Sequence, residues 1–250
     1  MKDKILVVLP VRIGSTRLAR KALEKIGGKT MLEHAISNVS KSEIENILVA
    51  TDYPEIARIA EASNVQSVMT SSECSSGTDR VYQALEKFDR DQKFEYVINV
   101  QGDMPFIDPT IINSVALALY NNSSEIVTPV VKVKNDPDNL AENYKISSAS
   151  NVKVVCSASN KALYFSRSVI PHSADDYLLH VGVYGYTRRA IGKFVNLPQS
   201  SLEKIEKLEQ LRALENDMNI DLVFVDNLPI SVDTKEDLKI AKNYFKDINN

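Results

Sequence analysis

The stretch YVINVQGDMP, residues 96–105, changes abruptly from apolar to polar. Its first half is an almost uninterrupted apolar run, which is typical of a strand covered on both faces by helices. Gly102 and Pro105 end the strand, and Asp103 follows at its carboxyl end, where α/β sheets usually bind ligands. We therefore expect Asp103 to hold a substrate or a metal ion, although an aspartate here can also serve as a turn or helix cap.

Apolar runs of strand length recur on both sides of this stretch and alternate with helical patterns. Strands are predicted at 4–11, 47–51, 66–69, 125–133, 151–156, 180–186 and 222–225, and helices at 31–39, 54–63, 78–88, 109–120, 201–216 and 235–245. This alternation predicts an α/β fold: a single three-layer domain, residues 1–250, with a mostly parallel, mixed central sheet. Residues 136–190 are predicted to form a small β-rich insertion.

Composition limits the function. The chain has 250 residues, with 30 Lys and Arg against 33 Asp and Glu and a net charge of −3, so a nucleic-acid partner is not expected. Its apolar runs are shorter than the ~20 residues of a membrane span, and we expect a cytoplasmic protein without membrane insertion. Cys74 and Cys156 are too few for a disulfide framework or a CxxC zinc site.

The segment 12–21, RIGSTRLARK, follows the first predicted strand and concentrates four cations and two hydroxyls. Such a loop favours polyanions, because backbone N–H groups, hydroxyls and fixed positive charges all bind phosphate. The three spaced glycines of a dinucleotide-binding loop are missing, since Gly14 stands alone. The segment therefore predicts a phosphate-binding loop of another kind.

Two further polar segments are predicted to cap helices, and one of them has a ligand-binding alternative. Asp52 before Pro54, and Thr78 or Asp79, are predicted helix caps. The alternative for the segment 76–78, Ser-Gly-Thr, is that Gly77 lets a flat ligand approach the backbone closely.

The predicted helix 201–216 carries charges on its apolar side. At about 100° per residue, Glu209 and Arg212 fall within the apolar arc of this helix. Ionised groups facing a core need partners. Either the two pair with each other at i,i+3, or Glu209 and the neighbouring Gln210 bind hydroxyls of a polar substrate.

Taken together, seven segments in order resemble the CMP-Kdo synthetases, the 3-deoxy-manno-octulosonate (Kdo) cytidylyltransferases. The matching segments are 12–21, 76–80 (SGTDR), 99–105 (NVQGDMP), 163–171 (LYFSRSVIP), 180–186 (HVGVYGY), 208–212 (LEQLR) and 232–234 (VDT). The resemblance covers nearly the whole chain. It implies a nucleotide-sugar transferase-like fold and transfer of CMP from CTP to the anomeric hydroxyl of an acidic eight-carbon sugar, releasing pyrophosphate, for lipopolysaccharide or capsule synthesis.

The resemblance also implies site residues, a metal and an assembly. Mg²⁺ would be held by Asp103 and Asp233. The implied catalytic residues are Arg12, Lys21, Asp103 and Asp233, and the implied nucleotide-binding residues are Arg12, Ser15, Arg17, Lys21, Ser76, Gly77, Thr78 and Asp103. The implied sugar-binding residues are Arg80, Gln101, Arg167, His180, Tyr184, Glu209 and Gln210. A homodimer is implied, with the β-rich insertion as a reasonable interface.

The chain departs from the family pattern at several positions. Ala19-Arg20 stands where Pro-Gly is usual, and Met104, Ser231 and Cys74 stand where Glu, Gly and His are common. The sugar therefore stays open between Kdo, 8-amino-Kdo and another 2-keto acid sugar. A nucleotide-binding relative that has lost catalysis is one alternative function. A nucleotidyltransferase that uses UTP or dTTP with a neutral sugar phosphate is another.

Overall fold

The computed structural model describes residues 2–14, 18, 20–121, 124–136 and 138–249, and within 140–143 the backbone alone. Contacts divide the chain into two compact units, Met1–Asn113 with Pro229–Asn250, and Ser114–Leu228. The expectation of one domain with an insertion at about 136–190 stays a prediction. In the described part of the chain, no helix combines the length and the apolar character needed to cross a membrane.

Strands and helices alternate through much of the chain, as predicted. The strands are β1 (Ile5–Val11), β2 (Lys25–Ile26), β3 (Lys29–Thr30), β4 (Ile47–Thr51), β5 (Gln66–Met69), β6 (Tyr96–Val100), β7 (Ile126–Lys134), β8 (Lys153–Cys156), β9 (Ala162–Ser166), β10 (Asp176–His180), β11 (Val183–Thr187) and β12 (Ile220–Phe224). The helices are α1 (Met31–Val39), α2 (Pro54–Ala62), α3 (Gly77–Phe88), α4 (Pro109–Asn121), α5 (Leu140–Ser147), α6 (Arg188–Val195), α7 (Ser201–Glu206), α8 (Leu211–Leu214) and α9 (Lys235–Asp247). Short 3₁₀ turns lie at Lys2–Lys4 and Lys21–Leu23.

The first unit contains parallel strands in the order β5-β4-β1-β6. The apolar residues of β1 and β6 are buried, as expected for strands covered on both faces. Because the strands are parallel, the segments that follow β1, β4, β5 and β6 meet at one edge of the sheet. Arg12, Asp52, Thr70 and Gln101 are the first residues beyond those four strands.

The second unit is organised around β7, which pairs with β10 and β11 antiparallel and with β12 parallel. Strand β8 joins β10 to β9 through antiparallel pairings. The prediction of an α/β fold with a mixed central sheet is confirmed.

Two predicted caps are wrong. The N-cap of α2 is Tyr53, without a side-chain hydrogen bond, and Asp52 bonds to other partners instead. Helix α3 begins one residue before Thr78, and its cap is Ser76, whose hydroxyl accepts a hydrogen bond from Asp79 N at 3.1 Å. In both cases a nearby residue occupies the capping position, and the Asp52 carboxylate makes tertiary contacts instead.

The predicted helix 201–216 is broken into α7 and α8. Lys207 adopts the left-handed conformation, with φ of 54°. The guanidinium of Arg167 donates from Nε to the Glu206 carbonyl at 2.9 Å and from Nη2 to the Lys207 carbonyl at 3.3 Å. The side chain of Arg167 therefore takes carbonyls that a continuing helix would have bonded internally.

Two other segments of the second unit differ from prediction. The segment 136–190, predicted to be β-rich, also contains α5, a short helix that has Ile146 buried and Tyr144 exposed. The strand predicted at 180–186 is split into β10 and β11. The Thr128 hydroxyl of β7 donates a 2.7 Å hydrogen bond to the Val183 carbonyl at this break, so the interrupted ladder is stabilised by a side chain.

Candidate functional site

A cavity of about 310 Å³ opens in the first unit, beyond the ends of β1 and β6. It brings together predicted site residues from four separate segments of the chain: Arg12, Lys21, Ser76, Gly77, Arg80, Gln101, Asp103 and Asp233. Cations from the loop after β1 therefore face carboxylates from the loop after β6 and from the start of α9.

Three charged residues of the cavity wall, Lys21, Asp103 and Asp233, form one cluster. Lys21 Nζ donates to Asp103 Oδ2 at 2.7 Å and to Asp233 Oδ1 at 2.8 Å. The two acids are 130 residues apart in sequence (233 minus 103), yet both bind one ammonium group. The two acids therefore meet at one point of the cavity wall, and the Mg²⁺ expected between them stays a prediction.

Backbone contacts explain why these acids meet. Val232 N donates to the Asp103 carbonyl at 2.9 Å, which fixes the next residue, Asp233, beside Asp103. Thr234 then starts α9 with a capping box, in which Asp237 accepts from the backbone N–H groups of Asp233 and Thr234. The start of α9 is therefore rigid where it enters the cavity wall.

The electrostatics of Lys21 follow from this enclosure. Burial by itself lowers the pKa of Lys21, but the charges and hydrogen bonds of Asp103 and Asp233 outweigh it, and the pKa is raised above 10.5. Lys21 is therefore an ammonium ion at neutral pH, held against two carboxylates.

Asp103 has bonding capacity left after it binds Lys21. Its Oδ1 atom is buried and makes no hydrogen bond within the described residues. Buried carboxylate oxygens normally have a partner, so this atom is suited to a ligand or a cation. Among the residues described, no cluster of three or more His, Cys, Asp or Glu side chains forms a metal site, and a cation here would need oxygen ligands beyond Asp103 and Asp233.

The start of α3 forms another part of the wall. Ser76 and Gly77 line the cavity, and Thr78 is buried behind them. A Cβ atom added to Gly77 would lie 3.3 Å from Gln101 Oε1 and 3.6 Å from Pro10 Cγ. A side chain at position 77 would therefore crowd the Gln101 amide, whereas glycine leaves the backbone open to a flat ligand.

Arg80 lines the same cavity but is almost fully committed to neighbours. It is 2% exposed, donates from Nη2 to Asp52 Oδ2 at 2.9 Å, and bonds the Thr70 hydroxyl through Nη1. Asp52 Oδ1 also accepts from Ile13 N at 3.2 Å. The predicted contact between Arg80 and a sugar stays a prediction.

In the second unit, two predicted sugar-binding residues form an aromatic cluster. The rings of His180 and Tyr184 have centroids 5.2 Å apart, and His180 Nε2 lies 2.9 Å from the Thr128 hydroxyl. Burial lowers the pKa of His180 to about 3, so its imidazole is neutral. Burial, with Tyr186 and Glu209 nearby, raises the pKa of Tyr184 well above 10.

Several polar atoms of this unit are buried without a hydrogen-bond partner in the described part of the chain. The Tyr184 hydroxyl and the Gln210 amide nitrogen are among them. Since burying such groups unpaired is costly, both are available to a bound polar molecule.

Glu209 and Arg212 form the i,i+3 ion pair that was one alternative for this helix, but the contact is long. Their side chains approach to 3.9 Å, whereas Arg212 makes a two-bond contact with Glu203 at 2.8 and 2.6 Å. Arg212 is therefore satisfied mainly by Glu203. The second alternative, contacts of Glu209 and Gln210 with a substrate, stays a prediction.

Arg167 is held by main-chain acceptors. Besides the two carbonyls at the α7 end, it donates to the Ala149 carbonyl at 3.0 Å. Its predicted contact with a sugar carboxylate stays a prediction. Ser15 and Arg17, both predicted to bind the triphosphate, lie outside the described residues.

Sequence analysis missed the contribution of Asp52. It was interpreted as a helix cap, although it follows β4 directly, as Asp103 nearly follows β6. The same rule that drew attention to Asp103, an acid at the carboxyl end of a parallel strand, applies to Asp52 and would have found it.

The chain is similar to known cytidylyltransferases over most of its length. The family model for cytidylyltransferases matches residues 6–220. A 3-deoxy-manno-octulosonate cytidylyltransferase of Rickettsia bellii is 45% identical over 242 residues, 97% of this chain and 96% of the relative. The enzyme of the same name from Rickettsia prowazekii is 44% identical over 250 residues, 100% of this chain and 98% of the relative.

Solved structures agree on the fold. A CMP:2-keto-3-deoxy-manno-octonic acid synthetase complexed with CTP superposes with a TM-score of 0.88 at 31% identity, covering 98% of this chain and 99% of that one. A putative glucose-1-phosphate thymidylyltransferase of Bacillus anthracis gives a TM-score of 0.68 at 14% identity, covering 98% and 97%. This second likeness concerns the fold alone.

Proposed function

The chain belongs to the cytidylyltransferase family, and from this premise we propose that it transfers CMP from CTP to Kdo and releases pyrophosphate. The observation that carries the proposal is the Lys21–Asp103–Asp233 cluster on the cavity wall, beside Arg12 and the Ser76–Gly77 backbone. Phosphoryl transfer depends on charge neutralisation and positioning more than on covalent chemistry by the protein. This wall supplies both.

In the proposed reaction, the anomeric hydroxyl oxygen of the sugar attacks the α-phosphorus of CTP. The bond from this phosphorus to the bridging oxygen breaks, pyrophosphate leaves, and the hydroxyl proton passes to water. Arg12, Arg17 and Lys21 neutralise phosphate charge, and the Ser15 hydroxyl of the same loop donates a hydrogen bond to phosphate. The Ser76–Gly77–Thr78 backbone reads the cytosine base, which needs the close approach that glycine allows.

The donor set of the cavity suits a divalent cation, and we propose Mg²⁺ held by Asp103 and Asp233. The Lys21 ammonium already lies between these two carboxylates, where a positive charge is stabilised, and Asp103 Oδ1 is a buried oxygen without a hydrogen bond among the described residues. Two carboxylates, completed by phosphate oxygens and water, are typical ligands of Mg²⁺. When bound, the ion polarises the α-phosphate and stabilises the charge that develops there.

For the sugar, we propose Arg80, Gln101, Arg167, His180, Tyr184, Glu209 and Gln210 as binding residues. The buried Tyr184 hydroxyl and the Gln210 amide support this assignment, because a sugar with many hydroxyls would supply the missing partners. The neutral imidazole of His180 suits hydrogen bonding to hydroxyls rather than charge pairing with a carboxylate.

The test is a pyrophosphate-release assay with CTP, Mg²⁺ and a panel of Kdo, 8-amino-Kdo and other 2-keto acid sugars. We expect turnover with Kdo, and none when UTP, dTTP or ATP replaces CTP at equal concentration. CTP binding without turnover on any sugar of the panel would favour a relative that has lost catalysis. Turnover with UTP or dTTP and a neutral sugar phosphate would instead support the other alternative.

We also propose a homodimer located in the cytoplasm. Within 136–190, the large apolar side chains of Tyr144, Leu163 and Val169 are 72%, 60% and 43% exposed, which suits a covered surface. Sedimentation of the purified protein should give twice the chain mass, and Leu163→Glu should shift it toward one chain. A monomer at all concentrations would contradict the dimer.

A further inference from the structure

We propose that Asp52 is a positioning residue, which links the phosphate-binding loop to the base-reading helix and so shapes the cavity before CTP arrives. Its two carboxylate oxygens accept hydrogen bonds from two different segments of the cavity wall, the loop after β1 and helix α3. Oδ1 accepts from Ile13 N at 3.2 Å, in the loop after β1, and Oδ2 accepts from Arg80 Nη2 at 2.9 Å, in the first turn of α3.

Both segments line the cavity close to the residues that bond Asp52. Ile13 follows Arg12, which lines the cavity. Arg80 lines the cavity itself, and its backbone N–H bonds the Ser76 carbonyl at 3.3 Å, within the turn that carries Gly77. Asp52 thus fixes the distance between a phosphate-facing cation and the glycine backbone.

The link is sealed from solvent. The side chain of Arg80 is 2% exposed and that of Asp52 is 10% exposed. The Thr70 hydroxyl at the end of β5 bonds the other terminal nitrogen of Arg80. A buried, charge-assisted contact of this kind keeps its geometry better than an exposed pair, because water does not compete for either partner.

Substitution by asparagine separates the two roles of the carboxylate. The Asn amide has one oxygen acceptor, and its nitrogen can only donate, so Asp52→Asn keeps at most one of the two links and places donors face to face at the other. The loop and the helix would then order only when CTP binds, and that ordering weakens CTP binding. Substrate bound at saturation is still correctly placed, so kcat changes less than KM.

The inference rests on the proposed function, and its test begins with CTP binding by calorimetry, without sugar. We expect Asp52→Asn to weaken CTP binding roughly tenfold, as expected for loss of one hydrogen bond to a charged group, with a parallel rise in KM and a fall in kcat below about threefold. An unchanged dissociation constant, or a fall in kcat larger than the rise in KM, would overturn the proposal.

Asp89→Asn is the matched control. Asp89 is also buried in the first unit, and its carboxylate accepts from Lys93 N and Phe94 N, both at 2.9 Å, but it follows the far end of α3. We expect this variant to lose stability and keep wild-type CTP affinity. Equal loss of CTP affinity in both variants would show a general effect of buried aspartates and overturn the positioning role.

A second measurement on the native protein covers the case in which Asp52→Asn does not fold. The Ile13 amide should exchange slowly with deuterium before any nucleotide is added, because Asp52 already holds it. Fast exchange at Ile13 would overturn the proposal. A failure of the proposed function is recognisable separately, since wild-type protein would then show no turnover with Kdo while Ile13 stays protected.

Discussion

Two ion-pair clusters in this protein use similar side chains for different purposes. In the second unit, Arg212 and Glu203 are 8% and 6% exposed, and the guanidinium fork bonds both oxygens of the carboxylate. In the first unit, Lys21, Asp103 and Asp233 are 20%, 17% and 35% exposed, and Asp103 Oδ1 keeps no hydrogen bond within the described residues. The Arg212–Glu203 pair is therefore buried and fully hydrogen-bonded. The Lys21–Asp103–Asp233 cluster is accessible, and one of its carboxylate oxygens can still bind a ligand.

The difference separates stability from function. A sealed, fully bonded pair has no capacity for a ligand, and removing one partner leaves a buried charge. An accessible cluster can exchange its ammonium contact for phosphate or a divalent cation. Substitution of one carboxylate in each cluster should therefore produce opposite defects.

The largest expected effect is on activity. Asp103→Asn should lower turnover with CTP, Mg²⁺ and Kdo by on the order of 10²–10³-fold, because a charged group facing the reacting phosphate is lost. Its unfolding midpoint in urea should stay close to wild type, since Lys21 keeps Asp233 at 2.8 Å. Near wild-type turnover at saturating Mg²⁺ would contradict the metal assignment.

Glu203→Gln should show the reverse. Loss of the carboxylate leaves the buried Arg212 guanidinium with only the longer 3.9 Å contact to Glu209, which costs about 3 kcal/mol of unfolding free energy. Urea denaturation measures this, and Asp176→Asn is the control, because the Lys132–Asp176 pair is 59% and 39% exposed and should contribute below about 1 kcal/mol. Equal effects of the two substitutions would break the distinction between sealed and exposed pairs.

The pH dependence of stability sharpens the comparison at His180, where burial alone shifts the pKa. The folded-state pKa of His180 is about 3, below its ordinary 6.5, so the unfolded chain binds the proton more readily between these values. The contribution is complete above pH 6.5 and is lost as the pH falls toward 3, with a difference of roughly 2 kcal/mol between pH 7 and pH 5.

Denaturation of wild type and His180→Gln at both pH values isolates this contribution. The variant should lose less stability than wild type over the interval. Identical pH dependence in the two proteins would show that His180 does not stay neutral in the folded state.

The smallest expected effect concerns Tyr184. Its hydroxyl is buried and unbonded among the described residues, so Tyr184→Phe should raise the unfolding free energy by about 1 kcal/mol. The KM for Kdo should rise in the same variant if the hydroxyl binds the sugar. Tyr164→Phe lacks this stability gain, because the Tyr164 hydroxyl lies 3.4 Å from Glu206 Oε1.

Much of the first unit follows from the sequence because its signals are local. The apolar run 96–100 specifies a buried strand, and an acid beyond its end is placed at the ligand-binding edge. The meeting of Asp103 with Asp233 needed the family resemblance, since the hydrogen bond between Val232 N and the Asp103 carbonyl has no local signal.

The errors have the opposite cause, because distant partners overrode local preference. Asp52 before Pro54 has the sequence of a helix cap, but its carboxylate bonds Arg80, 28 residues further along the chain. The helix break at Lys207 depends on Arg167, some 40 residues earlier, which takes the backbone carbonyls. Periodicity within a single helix contains no information about either contact.

Cation binding by the accessible cluster is the central claim, and Mn²⁺ titration followed by electron paramagnetic resonance tests it most directly. Wild-type protein should bind Mn²⁺ more tightly with CTP than without. The phosphate oxygens complete the ligand set of the ion, and they accept hydrogen bonds from the Lys21 ammonium, which then leaves the two carboxylates to the ion. Lys21→Met should bind Mn²⁺ more tightly than wild type when CTP is absent, and Asp103→Asn should lose the CTP-dependent gain. Equal Mn²⁺ affinity of wild type and Asp103→Asn in the presence of CTP would contradict the account.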